Sequence, residues 1–244
     1  MELSDIVKHF GAIKAVDGVS MSIMPGECVG LVGDNGAGKS TLVKVISGFH
    51  SPTSGDVRVD GKQVTFHSPS DSRASKIETV YQNLALVDQL DAAANFFLGR
   101  EIFSNWGNAI GYLSKARMRE KAAAELKRIG VSIPSMEIPV SQMSGGQRQG
   151  IAMARSVFWG SKCLILDEPT AALGVKETSG IVSQIEKVIK SGVSVLFVAH
   201  DIDLIKEICS RIVVLRHGKV WSELNAADIS TEDIVHHITG TKKN

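Results

Sequence analysis

The run Gly33-Asp34-Asn35-Gly36-Ala37-Gly38-Lys39-Ser40 constrains this chain more than any other feature of it. It has the form Gly-x-x-x-x-Gly-Lys-Ser, and it stands between an apolar stretch, Cys28 to Val32, and a helical run that opens at Thr41 and continues to Ile46. Strand, glycine loop and helix in that order turn successive backbone N–H groups toward one point at a positive helix end, where a phosphate can sit. Residues Gly33, Asp34, Asn35, Gly36, Ala37, Gly38 and Thr41 are expected to form the cradle. Lys39 would reach the β- and γ-phosphates, and Ser40 would ligate magnesium. Chance supplies such a match in a chain of this length on the order of once in a hundred sequences, so a bland glycine turn is the weaker reading.

A phosphate loop does not distinguish kinases, GTPases and transport ATPases. Cys163-Leu164-Ile165-Leu166-Asp167-Glu168 narrows the choice. A short apolar run of this kind predicts a buried strand, and neighbouring positions at its end point in different directions. Asp167 is therefore placed to support magnesium, usually through water, while Glu168 can polarise the water that attacks a γ-phosphate. Standing alone, an Asp-Glu pair would read as a solvated loop.

The remaining patterning organises the fold. Val57 to Val64 alternates around Asp60-Gly61 and predicts a hairpin. From about Asn83 to Trp159 the signals are helical: Met118, Ala122, Leu126 and Ile129 share a face, with Ser114 as N-cap and Gly130 as terminator. Apolar strands resume at Cys163 to Leu166 and at Val193 to Val198, joined by a helix carrying Ile181, Ile185, Val188 and Ile189. Ser230-Thr231-Glu232-Asp233 opens a last short helix, and Thr241 to Asn244 reads as a frayed tail. The expected architecture is α/β, with residues 1–82 and 160–244 forming a catalytic core that includes a β subdomain, and residues 83–159 a helical subdomain within one domain spanning 1–244.

Ser144-Gly145-Gly146-Gln147, just before a helix through Arg148, Ile151, Ala152 and Arg155, makes the chain resemble the ATP-binding cassette (ABC) family. The resemblance implies a P-loop NTPase of the ABC ATPase type, with an antiparallel β subdomain and an inserted helical one. It also implies ATP and Mg2+ as cofactors. In that family the signature faces the nucleotide held by a second copy, offering a serine hydroxyl, glycine N–H groups and a helix end to the γ-phosphate. Two shared sites in an ATP-sandwich dimer follow. Phe10 resembles the aromatic that stacks on adenine, Gln82 the glutamine that senses magnesium, and His200 the switch histidine, which would orient phosphate and water rather than act as general base. Met143 stands where leucine is usual, and Gly174 where most members carry aspartate. The second departure bears on communication between subunits.

Glu168-Pro169-Thr170-Ala171-Ala172-Leu173-Gly174-Val175, Tyr81 to Val87 and Asn95 to Glu101 are similar to cassettes of bacterial monosaccharide importers. The implied partners are a transmembrane permease and, indirectly, a periplasmic sugar-binding protein, with the chain on the cytoplasmic face of the inner membrane. Apolar Leu84, Leu86, Phe96 and Phe97 would either line a groove for that permease or pack inside the helical lobe. A rival from another class is a cassette that closes on ATP but scarcely hydrolyses it.

Composition argues against other partners. Lys plus Arg number 27 against 26 Asp plus Glu, so no net field favours nucleic acid or an anionic membrane. No guanine-reading Asn-Lys-x-Asp run is present, and the apolar stretch from Val193 to Ala199 is far short of the ~20 residues that cross a bilayer. Cys28, Cys163 and Cys209 are expected as reduced core residues, and the acidic start Met1 to Asp5 lacks the basic region of a secretion signal.

Overall fold

A computed structural model describes residues 1–104, 111–171 and 173–241, so Ala172 and Lys242 to Asn244 lie outside the described residues. Two compact units result. The first comprises Met1–Gln82, Gly160–Pro169 and Ile189–Asn244, the second Asn83–Trp159 and Thr170–Val188. Residues 170–188, placed with the core on sequence order, group by contact with the helical unit.

The first unit opens with β1 (Glu2–Phe10), β2 (Ile13–Ser22), β3 (Cys28–Val32) and α1 (Lys39–Ile46), continuing through β4 (Ser54–Val59), β5 (Lys62–Val64), α2 (Pro69–Ala74) and β6 (Ile77–Val80). In the second unit lie α3 (Ala92–Phe97), the short strands β7 (Phe103–Ser104) and β8 (Tyr112–Leu113), α4 (Lys115–Ile129) and α5 (Gly145–Phe158). The chain then runs through β9 (Cys163–Asp167), α6 (Val175–Lys190), β10 (Ser194–Val198), α7 (Ile202–Ile208), β11 (Arg211–Arg216), β12 (Lys219–Asn225) and α8 (Thr231–Thr239).

The expected hairpin is β4–β5, antiparallel with Val57 opposite Val64, and it joins a four-stranded sheet ordered β2-β1-β4-β5. A six-stranded sheet follows the order β12-β11-β3-β10-β9-β6. Its inner strands are parallel and buried at every position of β3 and β10, which is why they read as unbroken apolar runs rather than alternation. Register fixes the chemistry: Val198 of β10 lies opposite both Leu31 of β3 and Asp167 of β9. The loops after β3, β9 and β10, which carry Gly33 to Ser40, Glu168 and His200, therefore leave the same end of one sheet.

Met118, Ala122, Leu126 and Ile129 are buried along α4, which ends at Gly130 in the left-handed region. Phe96 and Phe97 are 1% exposed and pack edge-on against Phe158 within the helical unit. Of the two readings of the apolar residues after Gln82, these two therefore take the packing one. Among the described residues no helix is long and apolar enough to cross a membrane. The three cysteines are free and buried.

Candidate nucleotide site

β3 delivers the chain to Gly33, and α1 begins at Lys39. Between them the backbone turns in a way only glycine permits at two points. Gly33 has φ 151° and an added Cβ would lie 2.3 Å from the Leu215 carbonyl oxygen; Gly38 has φ 106° and its Cβ would lie 2.5 Å from that of Ala15. Ala37 N–H donates to Asp34 O at 3.1 Å, while Ala37 O accepts from Gly218 N–H at 2.9 Å, so the loop is pinned to the sheet. The helix's hydrogen bonding starts with Leu42 N–H to Gly38 O at 2.9 Å, and Gly38 provides no side-chain cap. The first-turn N–H groups of Lys39, Ser40 and Thr41 thus have no acceptor within the helix, the condition for holding an anion.

Lys39 is 7% exposed, and its Nζ donates to Gly33 O at 2.7 Å and Asp34 O at 3.1 Å. Burial holds its pKa below the usual lysine value, although Glu168, Asp34 and Asp167 act to raise it. The ammonium lies over the loop's own carbonyls, which a phosphate would have to replace or share.

Asp167 ends β9 half-buried, and burial first, then the Glu168 charge, pushes its pKa above the usual carboxylate range. Lys39, Lys44 and His200 pull the other way. Glu168 takes φ 52°, a left-handed backbone that a non-glycine residue adopts at a cost of about 1 kcal/mol or more. The turn is held by Glu168 N–H donating to Val198 O at 2.8 Å, and it aims the side chain so that Oε1 lies 3.1 Å from His200 Nε2. Sequence order alone did not foretell that contact. Gln82 is exposed two residues past β6, whose Val80 lies opposite Leu166 of β9. Phe10, at the tip of β1, is 44% exposed. His50 meets its ring edge-on at 5.2 Å, and Lys8 Nζ lies 5.3 Å from its centroid. The sequence reading passed over Lys8 and His50, because each looks like an ordinary surface residue.

Among the described residues no group of three or more His, Cys, Asp or Glu could hold a metal. The oxygens available, Ser40 Oγ at the helix start and the Asp167 carboxylate, suit a hard cation that takes its other ligands from phosphate and water. That is the coordination expected of Mg2+.

The signature residues lie in the helical unit. Ser144 caps α5: its Oγ accepts from Gln147 N–H at 3.3 Å, while Gln147 Oε1 accepts from Ser144 N–H at 2.9 Å. The same glutamine donates to Ser132 O at 3.2 Å. Gln147 therefore has a capping role besides any contact with nucleotide. Gly145 and Gly146 sit in close quarters, since added Cβ atoms would come to 2.8 Å from Leu173 Cδ2 and 3.2 Å from Glu177 Cβ, so a larger residue at either would push those side chains aside. Met143 is buried, as a size-conserving replacement for leucine should be. Arg155 donates to Ala85 O and Leu84 O at 3.0 and 3.2 Å, anchoring the segment after Gln82 to α5.

Gly174 precedes α6 with open space around the position a Cβ would occupy. Gly174→Asp is accordingly expected to fold with a melting temperature equal to or slightly above the parent's, since aspartate is a good N-cap. It should bring little gain in ATPase rate. A large rise would show that the missing aspartate limits the chain.

Comparison with known proteins finds relatives along nearly the whole chain. The ABC transporter family model matches residues 16–171. A xylose/arabinose import ATP-binding protein, XylG of Sulfolobus acidocaldarius, is 44% identical over 98% of this chain and 93% of its own length. The fructose import ATP-binding protein FrcA of Rhizobium meliloti is 41% identical with the same coverage. A ribose import ATP-binding protein, RbsA 2 of Burkholderia ambifaria, is 36% identical over 99% of this chain but only 47% of its own length. Among solved structures, a dimeric post-hydrolysis state of the ATP-binding cassette MJ0796 bound to ADP and Pi is 28% identical, with a TM-score of 0.74 over 92% of this chain and 98% of that one. The phosphate loop, the strand-end carboxylates and the Ser-Gly-Gly-Gln helix cap thus occur in a chain matched along nearly its whole length, and the chain belongs to the ABC transporter family.

Proposed function

We propose that this chain is a single ATPase domain that powers import of a monosaccharide through a separate transmembrane permease. The observation that carries the hydrolytic part is the Glu168–His200 contact at 3.1 Å, beside a buried Lys39 whose ionisation responds to both strand-end carboxylates. The names of the relatives, which are xylose, fructose and ribose import ATP-binding proteins, support the solute class. Phe10 offers an aromatic face to adenine, and Gly33 to Thr41 surround the phosphates with N–H donors. Lys39 adds positive charge, while Ser40, Asp167 and Gln82 supply oxygens for Mg2+. When bound, that ion neutralises charge on the β- and γ-phosphates. Glu168 accepts hydrogen bonding from water and moves its proton, and His200, held by Glu168, fixes the orientation.

Ser144, Gly145, Gly146 and Gln147 serve a nucleotide held by a second copy of the chain. This is supported by the dimeric state of the MJ0796 relative. The chain would act on the cytoplasmic face of the inner membrane, supplied through its permease by a periplasmic binding protein, with no part for nucleic acid.

The cross-subunit role has a direct test. In a Glu168→Gln background, which binds ATP but clears it slowly, ATP should drive a twofold dimer visible by light scattering. Adding Ser144→Arg should abolish that dimer while ATP binding survives, because a long cation fills the space meant for the partner's phosphate. Equal dimerisation of the single and double variants would remove Ser144 from this role.

A further inference from the structure

Glu177 lies in the first turn of α6, and nothing in the nucleotide reading uses it. Its two carboxylate oxygens serve two different helix starts. Oε2 accepts from Gly174 N–H at 3.3 Å, three residues back, while Oε1 accepts from Gly146 N–H at 3.5 Å, in the first turn of α5. Thr178 N–H donates to Gly174 O at 2.9 Å, so Gly174 occupies the N-cap position of α6. This is half of a capping box, with the reciprocal half missing because glycine has no side chain. Hydrogen bonding from the Ser144 side chain, then from Gly174 and Gly146, holds the Glu177 carboxyl below the usual range, so it is ionised at neutral pH. Negative charge there is favoured by both helix ends. The carbon chain contributes as well, since Glu177 Cβ walls the site of Gly146.

We propose that Glu177 is a positioning residue of the ATPase, tying the Ser144–Gly146 turn to the Leu173–Gly174 turn. The proposal rests on the reading that Ser144 and Gly146 meet a γ-phosphate. The helix does not need Glu177 in order to form, because Ser144 and Gln147 already cap α5 reciprocally. What Glu177 adds is a fixed relation between two turns, Ser144–Gly146 and Leu173–Gly174.

The test compares Glu177→Ala with Glu177→Gln, reading phosphate release against ATP concentration and, separately, ADP affinity by calorimetry. Alanine removes both acceptors and should raise KM for ATP about tenfold while changing kcat less. ADP affinity should stay unchanged, because ADP has no γ-phosphate to meet the signature. Glutamine keeps one acceptor oxygen but turns its NH2 toward the other N–H, so it cannot hold both turns and should raise KM to a value between those of the parent and alanine. An unaltered or lowered KM in the alanine variant would overturn the proposal, a lowered one showing that the carboxylate competes with phosphate. So would a glutamine variant indistinguishable from the parent, which would show that no bridge between the two turns is needed, or a parallel fall in ADP affinity, which would mark general damage. If the unsubstituted chain released no phosphate at any ATP concentration, the ATPase reading itself would fail and this proposal with it.

Discussion

Replacing Glu168 by glutamine should lower phosphate release by roughly a hundredfold or more while leaving ATP binding intact. The two effects separate because Glu168 has no place in the phosphate cradle, which is built from the Gly33–Lys39 loop and the start of α1. Its backbone is fixed independently of the side chain, by the Glu168 N–H to Val198 O bond at 2.8 Å and the left-handed φ of 52°. Glutamine can occupy the same turn. It can also keep a contact with His200 Nε2, since one amide oxygen replaces Oε1. What it cannot do is take a proton from water or polarise it to a comparable degree. The Asp167 side chain should be eased, because the Glu168 charge is one of the causes that raise its pKa. Magnesium-dependent ATP affinity should therefore hold or improve. Single-turnover phosphate release with calorimetric titration in parallel measures both quantities, and near-normal release would remove Glu168 from its role.

Several parts of this site were legible because each rests on a local rule. The glycine loop needs glycine at Gly33 and Gly38, where a Cβ would strike backbone carbonyl oxygens, so the spacing of the motif records a steric demand. Ser144 and Gln147 form the reciprocal cap expected of such a pair three residues apart. The buried strands read as apolar runs because helices and sheet cover them on both faces. Other features depend on tertiary registration and left no local trace. That Glu168 meets His200 follows from Val198 lying opposite Asp167 in adjacent strands, and neither residue's neighbours in sequence encode it. His50 reaches Phe10 only because β1 ends beside the turn after α1. Glu177 carried a weak signal, its spacing of three from Gly174, but glycine at the cap position hid the half-box. The grouping of residues 170–188 with the helical unit was likewise invisible, since chain order continues from β9 without a composition break.

Lys39→Ala is expected to have the largest effect on binding, weakening ATP and ADP affinity together by at least about a hundredfold. Lys39 is the cation at the centre of the loop, donating to two carbonyl oxygens and nearly shut off from solvent. Its burial lowers its pKa, yet the nearby Glu168, Asp34 and Asp167 charges favour the protonated form, and a triphosphate would add to that favour. Removing it takes away a donor that could move from the carbonyls of Gly33 and Asp34 to the β- and γ-phosphates, and it removes the first of the positive charges that favour ionised Asp167. The anionic ligand then meets carboxylates whose charge is less well compensated. The fold should persist, because alanine is a strong helix former at the first position of α1 and the loop remains pinned through Ala37 to Gly218. An unchanged melting temperature without ligand, coupled with loss of the shift that ATP produces in the parent, would separate lost binding from lost structure. ADP is the informative second ligand. If Lys39 meets the β-phosphate as well as the γ-phosphate, ADP affinity must fall too; retained ADP affinity would confine Lys39 to the γ-phosphate. Undiminished affinity for both nucleotides would refute the assignment of the loop.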